Sequence, residues 1–307
     1  MASLASLASL VSLAVVTGAC SRGARPGAAA FTDEVGRPVT PRAQPTRRVV
    51  SLAPNVTELL FAIGAGDQVV GIDHYSDQPA GRVEHLPSVG SDYEPSLEKI
   101  VGLAPDLVLL SRSANRRETA DALDRLGVPS FITETPAVAD MPRTMRDLGA
   151  LTGHAADAAA ELARLQDGLA AVRSRVAGQP RPRVLVVVWP EPLYVAGRET
   201  FTHDLIDVAG GQNVAADARG YTTFPLERVL AAAPDVIILP THAASGTGDA
   251  AAVAYWARWP SLPAVRDHRV FAIEDAIVSR PGARLVEGAA RLASLLHPAQ
   301  PPAGAGR

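Results

Sequence analysis

The sequence predicts an α/β protein of two similar lobes, each a parallel sheet with flanking helices, joined by one long rigid helix and separated by a ligand cleft. Three features predict it. Strand-length β-branched runs alternate with helical stretches, the second half of the chain echoes the first, and one amphipathic segment of helical spacing divides the halves. At 307 residues the chain is long for one compact core and comfortable for two.

Taken in order, 48–53 reads as a strand and 55–63 as a helix, whose Asn55-Val-Thr-Glu58 has the form of a capping box. A strand at 69–72, a helix at 96–103, a strand at 106–110, a helix at 116–126 and a strand at 129–132 follow. This is the grammar of a Rossmann-like parallel sheet. The rhythm then breaks. Residues 153–177 set Ala158, Leu162, Leu165, Leu169 and Val172 on one helical face, and such a helix would be about 35 Å long, enough to bridge two lobes. Gly178-Gln-Pro-Arg-Pro182 stops it, and alternation resumes with a fully apolar strand at 184–189. The expected boundaries are an N-terminal lobe at 47–152, a linking helix at 153–180 and a C-terminal lobe at 181–297. A tether at 21–46 and a disordered Pro/Gly/Ala-rich tail at 298–307 flank them.

The echo is specific. Glu98-Lys-Ile-Val-Gly-Leu-Ala-Pro-Asp-Leu-Val-Leu-Leu110 matches Glu227-Arg-Val-Leu-Ala-Ala-Ala-Pro-Asp-Val-Ile-Ile-Leu239, a helix ended by Ala-Pro-Asp before a buried strand. A second pairing sets Asn55 to Val69 against Thr200 to Val214. Two lobes of one architecture are the simplest account, and a ligand would bind between them.

Composition narrows the function. Apolar residues make up 47% and charged residues 20%, and the net charge of −3 comes with no basic run, which argues against nucleic acid and against a polybasic membrane contact. There is no phosphate-binding Gly-rich loop, no nucleophile elbow and no placeable pair of catalytic carboxylates, so the chain is not read as an enzyme. His74, His85, His154, His203, His242, His268 and His297 lack metal-ligand spacing, so no bare metal site is expected; only His74 stands beside another candidate. The sole cysteine, Cys20, closes Val16-Thr-Gly-Ala-Cys20 after an apolar run at 4–16. That resembles the lipobox of bacterial lipoproteins, with residues 1–20 as signal peptide and Cys20 as the acylated site. A plain cleavable signal or an uncleaved anchor is the alternative.

The chain resembles the periplasmic binding proteins for cobalamin, haem and ferric siderophores. The residues that carry the resemblance are Arg48-Val-Val-Ser-Leu-Ala-Pro-Asn-Val-Thr-Glu-Leu-Leu60, Val70-Gly-Ile-Asp-His-Tyr-Ser-Asp77, Pro87-Ser-Val-Gly90 and the stretch from Glu98 to Leu110. The resemblance runs from about Arg47 to His297 and is closest to the cobalamin binders. It implies a lipid-anchored monomer in the periplasm or on the cell surface, with no cofactor of its own. It would capture a metal chelate, cobalamin or alternatively haem or a ferric siderophore, for an ABC importer permease dimer. A surface receptor without transport is the alternative of another class.

The resemblance also implies roles for residues. Tyr75 and Arg280 match pocket positions, Asp92 and Ser111 stand where the cobalamin pocket carries tryptophans, and Glu98 and Glu227 match the pair that docks on permease arginines. A carboxylate favouring a helix N-terminus explains the last two equally. Tyr75 supplies a ring face for a macrocycle or a phenolate for haem iron, or is a plain loop tyrosine. Trp189, ending a strand, is a pocket wall or a core residue. Tyr221 and Tyr194 are weaker candidates of the same kind, and Arg112 and Asn115 follow a strand end where they could bind amides or carboxylates.

Overall fold

The computed structural model describes residues 31–241 and 249–298. The signal peptide, Cys20, residues 21–30 of the expected tether, His242 and the tail beyond 298 lie outside the described residues.

The first described segment corrects the expected tether. β1 (Phe31–Thr32) and β2 (Pro38–Val39) form an antiparallel hairpin on the N-terminal lobe. Asp33 is buried and takes the Arg37 guanidinium at 2.8 Å, while Arg37 also donates to the Ser130 carbonyl at 3.0 Å. Thr46 donates its N–H to the Leu151 carbonyl at 3.0 Å. A local ion pair and hydrogen bonds to distant carbonyls hold this stretch, and two-residue strands carry no readable period.

The N-terminal lobe is built from β3 (Val49–Ser51), α1 (Pro54–Ala62), β4 (Val69–Ile72), α2 (Leu97–Gly102), β5 (Leu107–Ser111), α3 (Arg117–Arg125) and β6 (Ser130–Thr133). Its sheet has the order β4-β3-β5-β6, all parallel. Val49, Leu107 and Leu109 point to one buried face and Val50, Val108 and Leu110 to the other. Because both faces are covered, the strands read as unbroken apolar runs. Then come α4 (Met141–Thr152), absent from the sequence reading, and the linking helix α5 (Ala155–Val176).

The C-terminal lobe contains β7 (Arg183–Trp189), β8 (Tyr194–Ala196), α6 (Phe201–Val208), β9 (Gln212–Asn213), β10 (Tyr221–Thr223), α7 (Leu226–Ala232) and β11 (Val236–Thr241). It continues through α8 (Asp249–Trp256), α9 (Pro263–Arg266), β12 (Val270–Glu274), α10 (Asp275–Ser279) and α11 (Leu285–Leu296). β9, β7, β11 and β12 are parallel, as predicted, but β8 returns antiparallel beside β7 and β10 extends that edge. The link between β7 and β8 is too short for the crossover a parallel neighbour requires.

One core runs through both lobes. Leu59 and Leu109, then Leu165, Leu169 and Val172 of α5, then Val186, Ile238 and Leu292 belong to one buried cluster. α5 lies so close to α11 that a Cβ on Gly168 would sit 2.7 Å from Val286. A direct bond also crosses between lobes, with the Val138 N–H donating to Asp204 at 2.8 Å.

The capping box at Asn55 is not formed. Pro54 occupies the first turn of α1 and Ala53 the cap, which makes Asn55 a residue inside the helix. Glu58 therefore does not reach back to a cap and faces the C-terminal lobe instead.

Candidate functional site

A cavity of about 420 Å³ opens where the carboxyl ends of the N-lobe strands face the segment between α10 and α11. Pro54, Asn55, Tyr75, Asp92, Ser113 and Ala114 line it from one lobe, and Asp275, Ser279, Arg280 and Pro281 from the other. Crevices beyond strand carboxyl ends are where open α/β sheets bind ligands.

A buried polar knot aims Tyr75. β4 ends at Ile72, and the next residue, Asp73, is buried. Its Oδ1 accepts the Tyr75 N–H at 2.7 Å and its Oδ2 accepts the Ser76 hydroxyl. Thr57 Oγ lies 2.8 Å from both Ser51 Oγ and Ser76 Oγ, which ties the turn to β3 and α1. Burial pushes the Asp73 carboxyl above its ordinary range, against the lowering effect of these bonds. With its backbone held, Tyr75 stands 52% exposed in the cleft, edge-on to His74 at 5.3 Å.

Asp92 and Asn115 work as a pair. Asn115 donates to the carbonyls of Leu52 (2.8 Å) and Asp92 (2.7 Å), and its Oδ1 accepts the Ser111 N–H at 2.7 Å. Both amide hydrogens are spent inside the protein, so Asn115 sets the height of the Asp92 backbone and has none left for a ligand. Asp92 lines the cavity, its carboxyl pushed up by burial and pulled back first by the Tyr93 N–H it accepts and then by Arg280.

From the opposite lobe, Arg280 donates to Asp77 at 2.9 Å and lies 3.8 Å from Glu58. Tyr221 has an exposed ring, but its hydroxyl is enclosed at 3.0 Å from Thr202 Oγ, whose own hydroxyl donates to the Val278 carbonyl just before Ser279. Burial, with Asp275 nearby, pushes the Tyr221 phenol up.

Other candidates lie elsewhere. Arg112 pairs with Glu134 at 2.6 Å and, with Ser111, lines a separate N-lobe cavity of about 450 Å³ near Arg37 and Arg117. Ser111 is buried there, bonded to Ser113 at 2.9 Å. Trp189 is no core residue: it is 61% exposed, registers opposite Tyr194 across β7 and β8, and donates its indole N–H to the Glu191 carbonyl at 2.9 Å. It forms an aromatic shelf outside the residues lining the cavity. Glu98 and Glu227 are each the second residue of a short helix, α2 and α7, both exposed and without an ion pair among the described residues. Among those residues, no group of three or more His, Cys, Asp or Glu side chains is placed to hold a metal. Asp77, Asp275, Ser279 and Pro281 were missed by the sequence reading. Only the clustering of Pro and Gly with two arginines at 280–284 marks that stretch as unusual.

The comparisons with known proteins agree with this geometry. The chain is 27% identical to a vitamin B12-binding protein of Vibrio parahaemolyticus over 78% of its length and 86% of that protein's. It is 28% identical to an ABC transporter substrate-binding lipoprotein of Bacillus subtilis, covering 87% and 84%. Among solved structures, a periplasmic heme-binding protein from Roseiflexus superposes with a TM-score of 0.73 at 29% identity, over 82% of this chain and 98% of that one. The vitamin B12-binding protein of Vibrio cholerae gives 0.71 at 25%, over 82% and 97%. Residues 49–276 match the periplasmic binding protein family, and the chain belongs to it: a non-enzymatic, extracytoplasmic solute-binding protein of an ABC importer.

Proposed function

We propose that this protein captures a corrinoid, cobalamin, in the interlobe cleft and hands it to the permease. The observation that carries this reading is the charge of the cavity. Asp92 lines it, and Arg280, the one arginine lining it among the described residues, is already paired with Asp77 and faced by Glu58. A ligand with an acidic rim, such as haem with its propionates or a catecholate siderophore, would bring carboxylate or phenolate charge against acids with no surplus cation to receive it. A corrin rim of neutral amides has donors for the carboxylates and a flat face for Tyr75. The similarity to vitamin B12-binding proteins supports the same choice.

Haem is the second reading, and one observation favours it. Tyr75 is a cleft tyrosine of the kind that ligates haem iron as phenolate. Titration with cobalamin, haem and a ferric hydroxamate siderophore separates the readings. Tight cobalamin binding with weak haem binding supports the proposal, and the reverse order overturns it.

The handover is assigned to Glu98 and Glu227. Their support is equivalence within the repeat: each is the second residue of a helix that is followed by a left-handed alanine, Ala104 (φ 47°) or Ala233 (φ 43°), before Pro-Asp. Anchoring through an acylated Cys20 is supported by the motif around it and by the similarity to a substrate-binding lipoprotein. The protein acts as a monomer in this reading.

A further inference from the structure

Glu58 reaches from α1 of one lobe into the other and is only 4% exposed. Gly282 closes over it so tightly that a Cβ there would lie 2.7 Å from Glu58 Oε2. Two guanidiniums face its Oε1, Arg284 at 3.6 Å and Arg280 at 3.8 Å. Neither carboxylate oxygen has a hydrogen-bond partner among the described residues, so charge rather than directional bonding relates the three. A buried carboxylate without cations nearby would be strongly unfavourable, and removing one member of such a cluster strands the others.

The two arginines differ in their outer partners. Arg284 is anchored within its own lobe by Glu274 at 2.8 Å, whereas Arg280 extends to Asp77 at 2.9 Å and lines the cavity. Between them the chain is extended at Arg280 and outside any helix, with the Gly282 N–H donating back to the Arg280 carbonyl at 2.8 Å. This cavity wall therefore lacks a helical ladder and faces the Glu58 carboxylate across the joint.

We propose that Glu58 is a positioning residue: it fixes the 280–284 segment of the C-terminal lobe against the N-terminal lobe and so sets where Arg280 meets the ligand. The ligand part of this assignment rests on the reading of the cleft as the corrinoid site.

The test uses Glu58→Gln, which keeps shape and removes charge, and Gly282→Ala, which displaces the carboxylate without changing any charge. Hydrogen exchange without ligand is expected to quicken about tenfold or more at residues 280–284 in both variants, with β3 and β5 unchanged. The cobalamin Kd is expected to rise about tenfold. Adding Arg280→Gln to Glu58→Gln should weaken binding no further than Arg280→Gln alone. Glu58→Asp should recover part of the affinity. Unchanged exchange at 280–284 overturns the proposal, as does quickened exchange with unaltered Kd, or full additivity with Arg280→Gln. Should Glu58→Gln fail to fold, Gly282→Ala carries both readouts. If the wild type binds no cobalamin, the corrinoid reading fails and exchange alone decides the role of Glu58.

Discussion

Asp106 and Arg48 exchange two hydrogen bonds, the Asp106 N–H to the Arg48 carbonyl at 2.8 Å and the Arg48 N–H to Asp106 Oδ2 at 3.0 Å. Asp235 and Arg183 repeat this in the other lobe at 2.8 and 2.8 Å. The Asp of each Ala-Pro-Asp thus clamps the first residues of the lobe's central strand, and the internal repeat is a repeat of contacts as well as of letters. In the second copy the Arg183 guanidinium also grips Asp235 at 2.9 Å and holds its carboxyl below the usual range. That contribution to stability is complete above the pKa of an unfolded aspartate, about 3.9, and is lost as pH falls through the lower folded value. Asp235→Asn should lower the thermal midpoint near neutrality, and the gap from wild type should close in acid. A gap constant across roughly pH 2–6 would contradict this.

Tyr75→Ala should weaken cobalamin binding by on the order of 1–3 kcal/mol, since a ring face is lost from the cleft. Tyr75→Phe distinguishes the two ligands. It should leave cobalamin binding nearly intact, whereas a haem protein would lose its iron ligand and the associated absorption band. Calorimetric and optical titrations of the two variants read the difference.

Glu98→Ala combined with Glu227→Ala should leave ligand affinity unchanged while uptake by cells falls. Both carboxylates lie outside the residues that line the cavity. The cost to folding should be small, about 0.3–1 kcal/mol for each helix end. Charge reversal to arginine should depress uptake further, because like charges would meet at the permease. Lost ligand binding in the double variant would move these residues into the pocket and defeat the docking assignment.

Lobe closure on ligand should be slight. α5 is continuous over 22 residues and packs into the core of both lobes, so a large hinge rotation would have to break that packing. X-ray scattering with and without cobalamin should give nearly superimposable profiles. Gly168→Leu should cost about 1–3 kcal/mol by forcing α5 off Val286, seen as a lower midpoint in denaturant.

Cys20→Ser should release the protein from membranes into the soluble fraction. Retention of that variant in the membrane pellet would favour an uncleaved anchor.

The lobes were legible because their central strands are buried on both faces. Val49 and Val50, Leu107 to Leu110 and Val184 to Val187 carry that burial as apolar runs. The hairpin at 31–39 and the antiparallel β8 and β10 carry no such period, because strands of two or three residues are too short to show one. Tyr75, Asp92 and Arg280, picked out by alignment with the family, fall together among the residues that line the cavity. The site was not legible at Asp77, which meets Arg280 from 203 positions away. Nor was it at Glu58, whose local sequence fits a cap that Pro54 displaces. Asn115 was read as a ligand-binding residue, but its amide serves the carbonyls of Leu52 and Asp92.

The shared core has a bearing on how such a chain can be recombined. Leu165, Leu169 and Val172 are buried in the same cluster as strand residues of both halves, so neither half owns the helix that joins them. A crossover placed within α5 would graft a foreign surface onto both halves at once. Donor and recipient would have to match along that helix before either could contribute a working lobe. The loop after β4 carries a smaller obligation, its Asp77 meeting Arg280 of the other lobe, so those two positions would have to be exchanged together.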